Sequence, residues 1–313
     1  IEHHLMFMQA LLRALLGAFV VCLIAAGLLT WFATRRALAP VRDMASVAKG
    51  ISASRLNQRI AAEAAPSELI DLAESFNGML DRLEDSFRRL ADFSADIAHE
   101  LRTPISNLMT QAQVALSKSR SSDDYREVLY SGLEEYDRLA RMINDMLFLA
   151  KADNKQLVPR YEDVELSAEV DALFEFYEPL AEDKNIRLMR EGHARIECDP
   201  LMLRRAIANL LSNAVRHSTM GGIVLLEIRV HARNAVQISV ANVGESIPDE
   251  MRSRIFDRFY RVDPSRHREG EGAGLGLAIV RSIAEAHGGQ VEALPQSDGA
   301  RFVLTLPIGR VPG

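Results

Sequence analysis

The sequence predicts a multidomain protein that consists of a transmembrane helix, an all-α coiled-coil region with a four-helix bundle, and an α/β sandwich. Three observations predict this architecture. An uncharged apolar run covers residues 14–33, apolar residues then recur at alternating steps of three and four up to residue 150, and short alternating segments begin after Pro159. With 313 residues, the chain is long enough for two or three domains.

The composition argues against several classes of protein. Charged residues make up 26% of the chain and the net charge is −6, which gives no reason to expect nucleic-acid binding. Cys22 and Cys198 are far apart in the sequence, with neither a zinc-binding spacing nor a disulfide framework.

Residues 14–33 are long enough to cross a hydrocarbon core about 30 Å thick. The alternatives are a buried core helix and a signal peptide, but a signal peptide would have a shorter apolar run and a cleavage site. Trp31 lies at one end, and Arg35 and Arg36 follow it. Because positive residues favour the cytoplasmic side, we expect the chain after residue 33 to be cytoplasmic and residues 1–13 to lie at the outer face.

Two segments, residues 69–97 and residues 129–150, carry the heptad spacing of helices that pack on partner helices. The turn residues of SRSSDD separate them and provide an N-cap for the second helix. Two such hairpins from two chains form a four-helix bundle, so we expect a homodimer. The alternative is an amphipathic helix that docks on its own globular domain.

The first of these helices contains FSADIAHELRTPISNL, residues 93–108. His99 lies beside Glu100, and Thr103 and Pro104 follow, although a proline inside a helix removes a hydrogen bond and bends the chain. An ionisable side chain next to a bend indicates a functional site. A solvent-facing helix residue is the alternative interpretation of His99.

The stretch GEGAGLGLAIV places four alternating glycines, Gly270, Gly272, Gly274 and Gly276, directly before an apolar helix. Glycine lets a ligand approach the backbone, and a helix N-terminus offers free N–H groups, so the stretch predicts a phosphate cradle. Neither GxGxxG nor GxxxxGK[ST] is completed, which excludes the dinucleotide and P-loop motifs. A flexible glycine loop is the alternative.

Polar residues elsewhere in the same region suit a nucleotide. NLLSNAVRHS places Asn209 and Asn213 on one helix face, where amides can bind Mg²⁺, and Arg216 and His217 on the next turn can meet phosphate oxygens. Three further residues or pairs accompany them: Asn242 at a strand end, Gly244 at a turn, and Arg258 with Arg261 among aromatic residues. Each has another interpretation as a cap, a turn or a solvated face, but together they predict a nucleotide site.

These stretches resemble a known family. HELRTP, NLLSNAVRHS, NVGESIP, FDRFYR and GEGAGLGLA are similar, in this order, to the H, N, G1, F and G2 boxes of sensor histidine kinases. Residues 34–86 resemble a HAMP linker, including Pro40 and Glu68. Within the family, FDRFYRVDPSR with GEGAGLGLAIV is most similar to the heavy-metal branch of copper and silver sensors.

The resemblance implies an ATP-binding domain of the GHKL (Bergerat) type and a place in the bacterial inner membrane. The expected divisions are an outer juxtamembrane segment (1–13), a transmembrane helix (14–33), a HAMP linker (34–86), a dimerisation and phosphotransfer domain (87–155) and an ATP-binding domain (159–309).

By the same resemblance, His99 accepts the γ-phosphoryl group of ATP and passes it to an aspartate in the receiver domain of a response regulator. Glu100 accepts the proton from the other ring nitrogen, and Thr103 orients water when the enzyme dephosphorylates its partner. Pro104 lets the bundle flex as signals arrive. A phosphatase-dominant sensor and a non-catalytic transmembrane scaffold are the alternative functions.

The resemblance also assigns the nucleotide contacts. Asn213 with Asn209 would hold Mg²⁺, Arg216 and His217 would contact phosphates, and Arg258 or Arg261 would reach the transferred group. Residues 250–272 would be a mobile lid, and Gly270, Gly272, Gly274, Leu275 and Gly276 would form the cradle. The sequence departs from the family at Asn242, where an adenine-binding aspartate is usual, at Ser246 in place of a glycine, and at His217, often a tyrosine.

The sequence says least about the signal that the protein senses. EHHLMFM places His3, His4, Met6 and Met8 at the outer membrane face, and histidine with thioethers suits soft copper or silver ions. A juxtamembrane helix without a metal is the alternative. Because the chain starts at Ile1 rather than at methionine, we expect an outer domain and an earlier span before it.

Overall fold

The structure is a computed structural model, and it describes residues 2–39, 41–42, 57, 59–60, 67–231, 234–262 and 273–309. Pro40, Gly270 and Gly272 lie outside the described residues, as do the side chains of His3, His4, Met6 and Glu68. The chain divides into two units, Ile1–Ala98 and His99–Gly313, and each is described by itself.

Helix α1 (Glu2–Ala37) contains the predicted transmembrane segment. Its part from Leu11 to Ala37 is long and apolar enough, by length and composition, to cross a membrane, and none of its most apolar window is buried against protein. At its end, the guanidinium carbon of Arg35 lies 5.1 Å from the centroid of the Trp31 ring. A helix that is apolar on all sides and uncovered by protein fits a lipid environment.

Helix α2 (Ser67–Leu116) runs for 50 residues, and Pro104 lies inside it without ending it. Helix α3 (Ser122–Asp153) begins after a capping box, in which the Ser121 hydroxyl accepts from the Asp124 amide and the Asp124 carboxylate accepts from the Ser121 amide. Because both capping residues belong to SRSSDD, this short stretch predicts the turn and the start of α3.

In the first unit, residues 59 and 60 contact α2. Asn77 binds the backbone of Ile60 in both directions at 3.0 Å, accepting from its N–H and donating to its carbonyl oxygen. Arg59 donates to Asp81 at 2.7 Å and to Glu84 at 2.6 Å. The hydrogen bonds of the Asn77 amide and of the Arg59 guanidinium hold residues 59 and 60 against α2.

The C-terminal part of the second unit is an α/β sandwich. Its strands are β1 (Glu162–Glu165), β2 (Arg187–Glu191), β3 (Arg195–Cys198), β4 (Ile223–His231), β5 (Ala235–Asn242), β6 (Gln290–Leu294) and β7 (Ala300–Pro307). Its helices are α4 (Leu166–Glu182), α5 (Pro200–His217) and α6 (Gly276–Ala286), with 3₁₀ turns at Asp249–Met251 and Arg254–Phe256. The main sheet has the order β2-β4-β5-β7-β6, parallel at β2–β4 and antiparallel elsewhere, while β1 pairs with β3.

The predicted fold class is confirmed, and five strands and two helices of the sandwich correspond to segments identified in the sequence. Strands β1 and β6 and helix α4 were not predicted. Helix α4 has no side-chain hydrogen bond at its N-cap Glu165, so the usual start signal is missing. Strand β1 (EDVE) has a single apolar residue, Val164, and therefore no alternation of apolar and polar residues.

Helix α5 is anchored to the sandwich by its apolar face. Leu203, Ile207, Leu210 and Leu211 have no exposed surface, so this face is held against the rest of the domain. Because residues three and four apart share a face of a helix, the anchored side determines which α5 residues face away from the core. Asn209 and Asn213 are among these.

Candidate functional site

A cavity of about 630 Å³ lies in the second unit. Its wall contains α5, the first turn of α6, the segments after β5 and before α6, part of β7 and part of α3. Nine residues singled out in the sequence line it: Asn209, Asn213, Arg216, His217, Ser246, Arg261, Gly274, Leu275 and Gly276. Folding therefore brings together residues as far apart in the sequence as Asn209 and Gly276.

The side-chain amide of Asn209 has a defined orientation. Its Nδ2 donates to the carbonyl oxygen of Arg205 at 2.9 Å, one helical turn earlier. Its Oδ1 lies at the start of α6, where a Cβ on Gly276 would come within 2.9 Å of this oxygen. The glycine thus lets α6 approach an amide oxygen, the kind of ligand that Mg²⁺ prefers.

Helix α6 starts at the cavity without a side-chain cap. Its N-cap residue is Leu275, which is buried and whose side chain forms no hydrogen bond with the first turn. Gly274 has a φ of +70°, and its carbonyl oxygen accepts from the Phe259 amide at 3.1 Å. A Cβ on Gly274 would lie 2.9 Å from the Phe259 carbonyl carbon, so a glycine is required for this approach. The uncapped helix start can receive an anion.

The cavity wall is electropositive. Arg216 and His217 are open to the solvent of the cavity, yet protein surrounds them, and this partial desolvation lowers the pKa of both groups. Arg138 and Arg261 further lower the pKa of Arg216, while Tyr177 opposes them. A cluster of cations that disfavour one another is stabilised when an anion such as a polyphosphate enters.

The lowered pKa of His217 predicts a pH effect on stability. Desolvation and then Arg216 and Lys184 lower it below the ordinary value of 6.5, so the folded chain binds fewer protons than the unfolded chain below that pH. Thermal stability of the full chain in detergent should therefore decrease as the pH falls through 6.5. His217→Gln should lose less stability over this interval than the wild type. Equal losses in both proteins would contradict the lowered pKa.

Asn242 and Gly244 lie beside the cavity and are not among its lining residues. Asn242 is 1% exposed at the end of β5 and pairs with Ala300 of β7. Gly244 packs on the end of α5, since a Cβ there would lie 2.2 Å from the carbonyl oxygen of His217. This glycine lets the turn after β5 meet the helix that carries the asparagines.

Gly244→Ala should therefore destabilise the chain. The added methyl group meets backbone rather than a flexible side chain, and overpacking of this kind costs about 1–3 kcal/mol. The measurement is the melting temperature of the full chain, with Gly309→Ala as the control because no atom lies within 4 Å of a Cβ at Gly309. Identical melting temperatures for the two variants would show that the turn and α5 are not in close contact.

Helix α3 contributes cavity residues that the sequence did not identify: Arg138, Arg141, Met142 and Asp145. Asp145 accepts from Arg205 of α5 at 2.5 Å, and the guanidinium carbon of Arg205 lies 4.2 Å from the centroid of the Phe148 ring. Apolar lining residues Ile247, Ile255 and Phe302 were also not identified. No local pattern distinguishes such residues from ordinary core or surface positions.

The two arginines of FDRFYR have different environments. Arg261 lines the cavity, whereas Arg258 pairs with Asp153 at the end of α3 and is not among the lining residues. The resemblance implies that Arg258 or Arg261 reaches the transferred group, and this stays a prediction. Of the two, Arg261 is the one that lines the cavity.

His99, Glu100 and Thr103 lie on α2 and do not line the cavity. His99 and Thr103 are exposed and Glu100 is half-buried. In the part of the chain that the structure describes, no hydrogen bond connects His99 with Glu100. The histidine ring is therefore accessible to a reactant from outside its own helix.

Three family models match the chain. The HAMP domain matches residues 32–85, the His Kinase A (phospho-acceptor) domain matches 89–155, and the histidine kinase-, DNA gyrase B- and HSP90-like ATPase matches 198–310. The last range contains all the cavity residues that lie on α5 and α6.

Curated relatives and a solved structure are also similar. The sensor histidine kinase CusS of Escherichia coli K12 is 46% identical over 308 residues, 98% of this chain and 64% of the relative. The probable sensor kinase SilS of Salmonella typhimurium is 43% identical over 98% of this chain and 63% of the relative. The chain thus spans just under two thirds of their length. The crystal structure of full-length ShkA in complex with AMPPNP has a TM-score of 0.54 and 27% identity, covering 70% of this chain and 46% of that one.

Proposed function

We propose that this chain is a membrane protein-histidine kinase of the sensor histidine kinase family, because models of the HAMP, phosphoacceptor and ATPase-type domains match it in this order. It would use Mg-ATP to phosphorylate His99 and would pass the phosphoryl group to an aspartate of a response regulator. One observation carries the proposal: two asparagines, a cationic wall and an uncapped helix start line a single cavity within the ATPase-type domain.

The cavity residues fit a nucleotide triphosphate. Arg216, His217 and Arg261 would bind the phosphate oxygens, and the N–H groups at the start of α6 would receive the same chain of phosphates. Asn213 with Asn209 would hold Mg²⁺, which, when bound, neutralises charge on the phosphates. ShkA was solved with the ATP analogue AMPPNP, which supports ATP as the substrate of this chain.

The reaction would transfer the γ-phosphoryl group of ATP, bound in the cavity, to His99 on α2. A ring nitrogen of neutral His99 attacks the γ-phosphorus, the bond from that phosphorus to the β–γ bridging oxygen breaks, and ADP leaves. Glu100 accepts the proton from the other ring nitrogen. In dephosphorylation of the response regulator, Thr103 would orient the water that attacks the phosphorylated aspartate, which releases inorganic phosphate and the free carboxylate.

The active form would be a homodimer in the inner membrane. Leu129, Leu133, Tyr136 and Leu147 of α3 are each more than half exposed in the single chain, and they are the residues that the heptad spacing assigns to a partner helix. Arg35 and Arg36 in the last turn of α1 support a cytoplasmic location for the rest of the chain. The resemblance to the heavy-metal branch supports a metal ion as the signal.

The test is incubation of the full chain, in lipid nanodiscs, with Mg²⁺ and γ-labelled ATP. A label that is stable to alkali, labile to acid and absent when EDTA is present supports a magnesium-dependent histidine kinase. No label despite measurable ATP binding would favour a phosphatase or a signalling scaffold.

A further inference from the structure

Helix α3 has a second functional side besides its heptad positions. Arg138, Arg141, Asp145 and Phe148 are separated by three, four and three residues, so they share one side of the helix. The first three line the cavity, and Phe148 contacts Arg205 of α5. None of the four is a residue that the heptad spacing assigns to a partner helix. This side of α3 therefore faces the cavity and is separate from the predicted dimer contact.

An ion pair fixes this side of α3 against α5. The Asp145 carboxylate accepts from the Arg205 guanidinium at 2.5 Å, and the centroid of the Phe148 ring lies 4.2 Å from the guanidinium carbon. Met142, beside them on α3, is buried. A charge pair that is partly desolvated and stacked on an aromatic ring is held more firmly than an exposed one. The pair thus keeps α3 at the cavity wall.

Arg141 has no acidic partner in this arrangement. It is exposed at the cavity, and it forms no salt bridge with any residue that the structure describes. The carboxylate on the same side of the helix, Asp145, is paired with Arg205 instead. By contrast, Arg126 of the same helix pairs with Asp123 at 3.4 Å. The guanidinium donors of Arg141 are therefore open to a ligand that enters the cavity.

The charges around the cavity favour an anionic ligand. Its described lining contains four arginines and two carboxylates: Arg138, Arg141, Arg216, Arg261, Asp145 and Glu245. Desolvation is the main cause that lowers the pKa of Arg216, and Arg138 of α3 lowers it further. Cations from α3 and α5 are thus close enough to repel each other, and an anion between the two helices would remove this repulsion.

We propose that Arg141 of α3 binds phosphate oxygens of the nucleotide, so that a bound nucleotide links α3 to the ATPase-type domain. This inference rests on the proposed function, which places the phosphates along α5, the start of α6 and Arg261. The guanidinium offers paired N–H donors that match a phosphate group. Because Arg141 belongs to the phosphoacceptor domain, its contact exists only while α3 lies against α5. By reciprocity, a bound nucleotide stabilises this docked arrangement.

The experiment measures the affinities of Mg-ATP and of adenosine by competition with a fluorescent ATP analogue, on the full chain in nanodiscs. Arg141→Ala should weaken ATP about tenfold, because a hydrogen bond between charged groups is lost. Adenosine has no phosphate, so its affinity should stay unchanged. Arg141→Lys keeps the charge without the paired donors and should lie between the wild type and Arg141→Ala. Added salt should reduce the difference between the wild type and Arg141→Ala.

Arg126→Ala is the matched control, since it removes an exposed arginine of α3 outside the cavity, and it should bind ATP like the wild type. Equal ATP affinities in Arg126→Ala and Arg141→Ala would overturn the inference. A loss of the same size for ATP and adenosine would also overturn it, because position 141 would then act through packing. If the wild type binds no nucleotide, the proposed function itself fails, and this outcome is distinct from ATP binding that does not depend on Arg141.

Discussion

Replacing His99 by alanine should abolish phosphorylation of the chain while ATP binding remains. The imidazole is the proposed acceptor, and alanine offers no nucleophile. Because His99 is exposed on α2 and does not line the cavity, its removal should leave the nucleotide contacts intact. The measurement pairs labelling from γ-labelled ATP with the affinity for a fluorescent ATP analogue, both on the full chain in nanodiscs.

His193→Ala is the control, since His193 is an exposed histidine outside the cavity. It should keep the label of the wild type. Glu100→Gln should lower the initial rate by about 10²–10⁴, the usual contribution of a general base, without changing ATP affinity. Label that persists in His99→Ala would show that another residue accepts the phosphoryl group.

Asn213→Ala should lower the labelling rate by about 10–100-fold at limiting Mg²⁺, the size of effect expected when a metal site loses support. Asn213 lines the cavity one turn after Asn209, on a helix that its buried leucines hold in place. Loss of an amide oxygen should weaken Mg²⁺ binding rather than the fold. The measurement is the rate as a function of Mg²⁺ concentration at saturating ATP.

Asn144→Ala provides the comparison, because it removes an exposed amide from a helix without touching the cavity. Its Mg²⁺ dependence should match that of the wild type. In Asn213→Ala the half-saturating Mg²⁺ concentration should rise, and excess Mg²⁺ should restore part of the rate. A reduced rate with an unchanged Mg²⁺ dependence would contradict the assignment of Asn213 to the metal.

The local chemistry of the site was readable from sequence. Gly274 precedes an apolar helix and must be glycine, because its φ is +70° and a Cβ there would meet the Phe259 backbone. Gly276 begins this helix, and a Cβ there would meet the side-chain amide of Asn209. Asn209 and Asn213 are four residues apart, so they share a face as soon as α5 is a helix. Such features depend on a few neighbouring residues, and local backbone preferences determine them.

Other features depended on packing between distant segments. Arg258 and Arg261 are three residues apart and look alike in sequence, yet one pairs with Asp153 of α3 and the other lines the cavity. Helix α4 has buried apolar residues at Leu166, Val170 and Leu173, but no side-chain hydrogen bond at its N-cap marks where it starts.

The sequence by itself determined the apolar helix, the heptad spacing, the order of the domains and five polar residues of the cavity, namely Asn209, Asn213, Arg216, His217 and Arg261. These follow from composition, periodicity and short motifs, which are properties of adjacent residues. Only the tertiary structure decided that α3 forms part of the cavity wall and that the Asn242 amide is buried beside the cavity without a hydrogen-bond partner among the described residues. Both depend on strand register and on helix packing, which bring together residues that no local pattern connects.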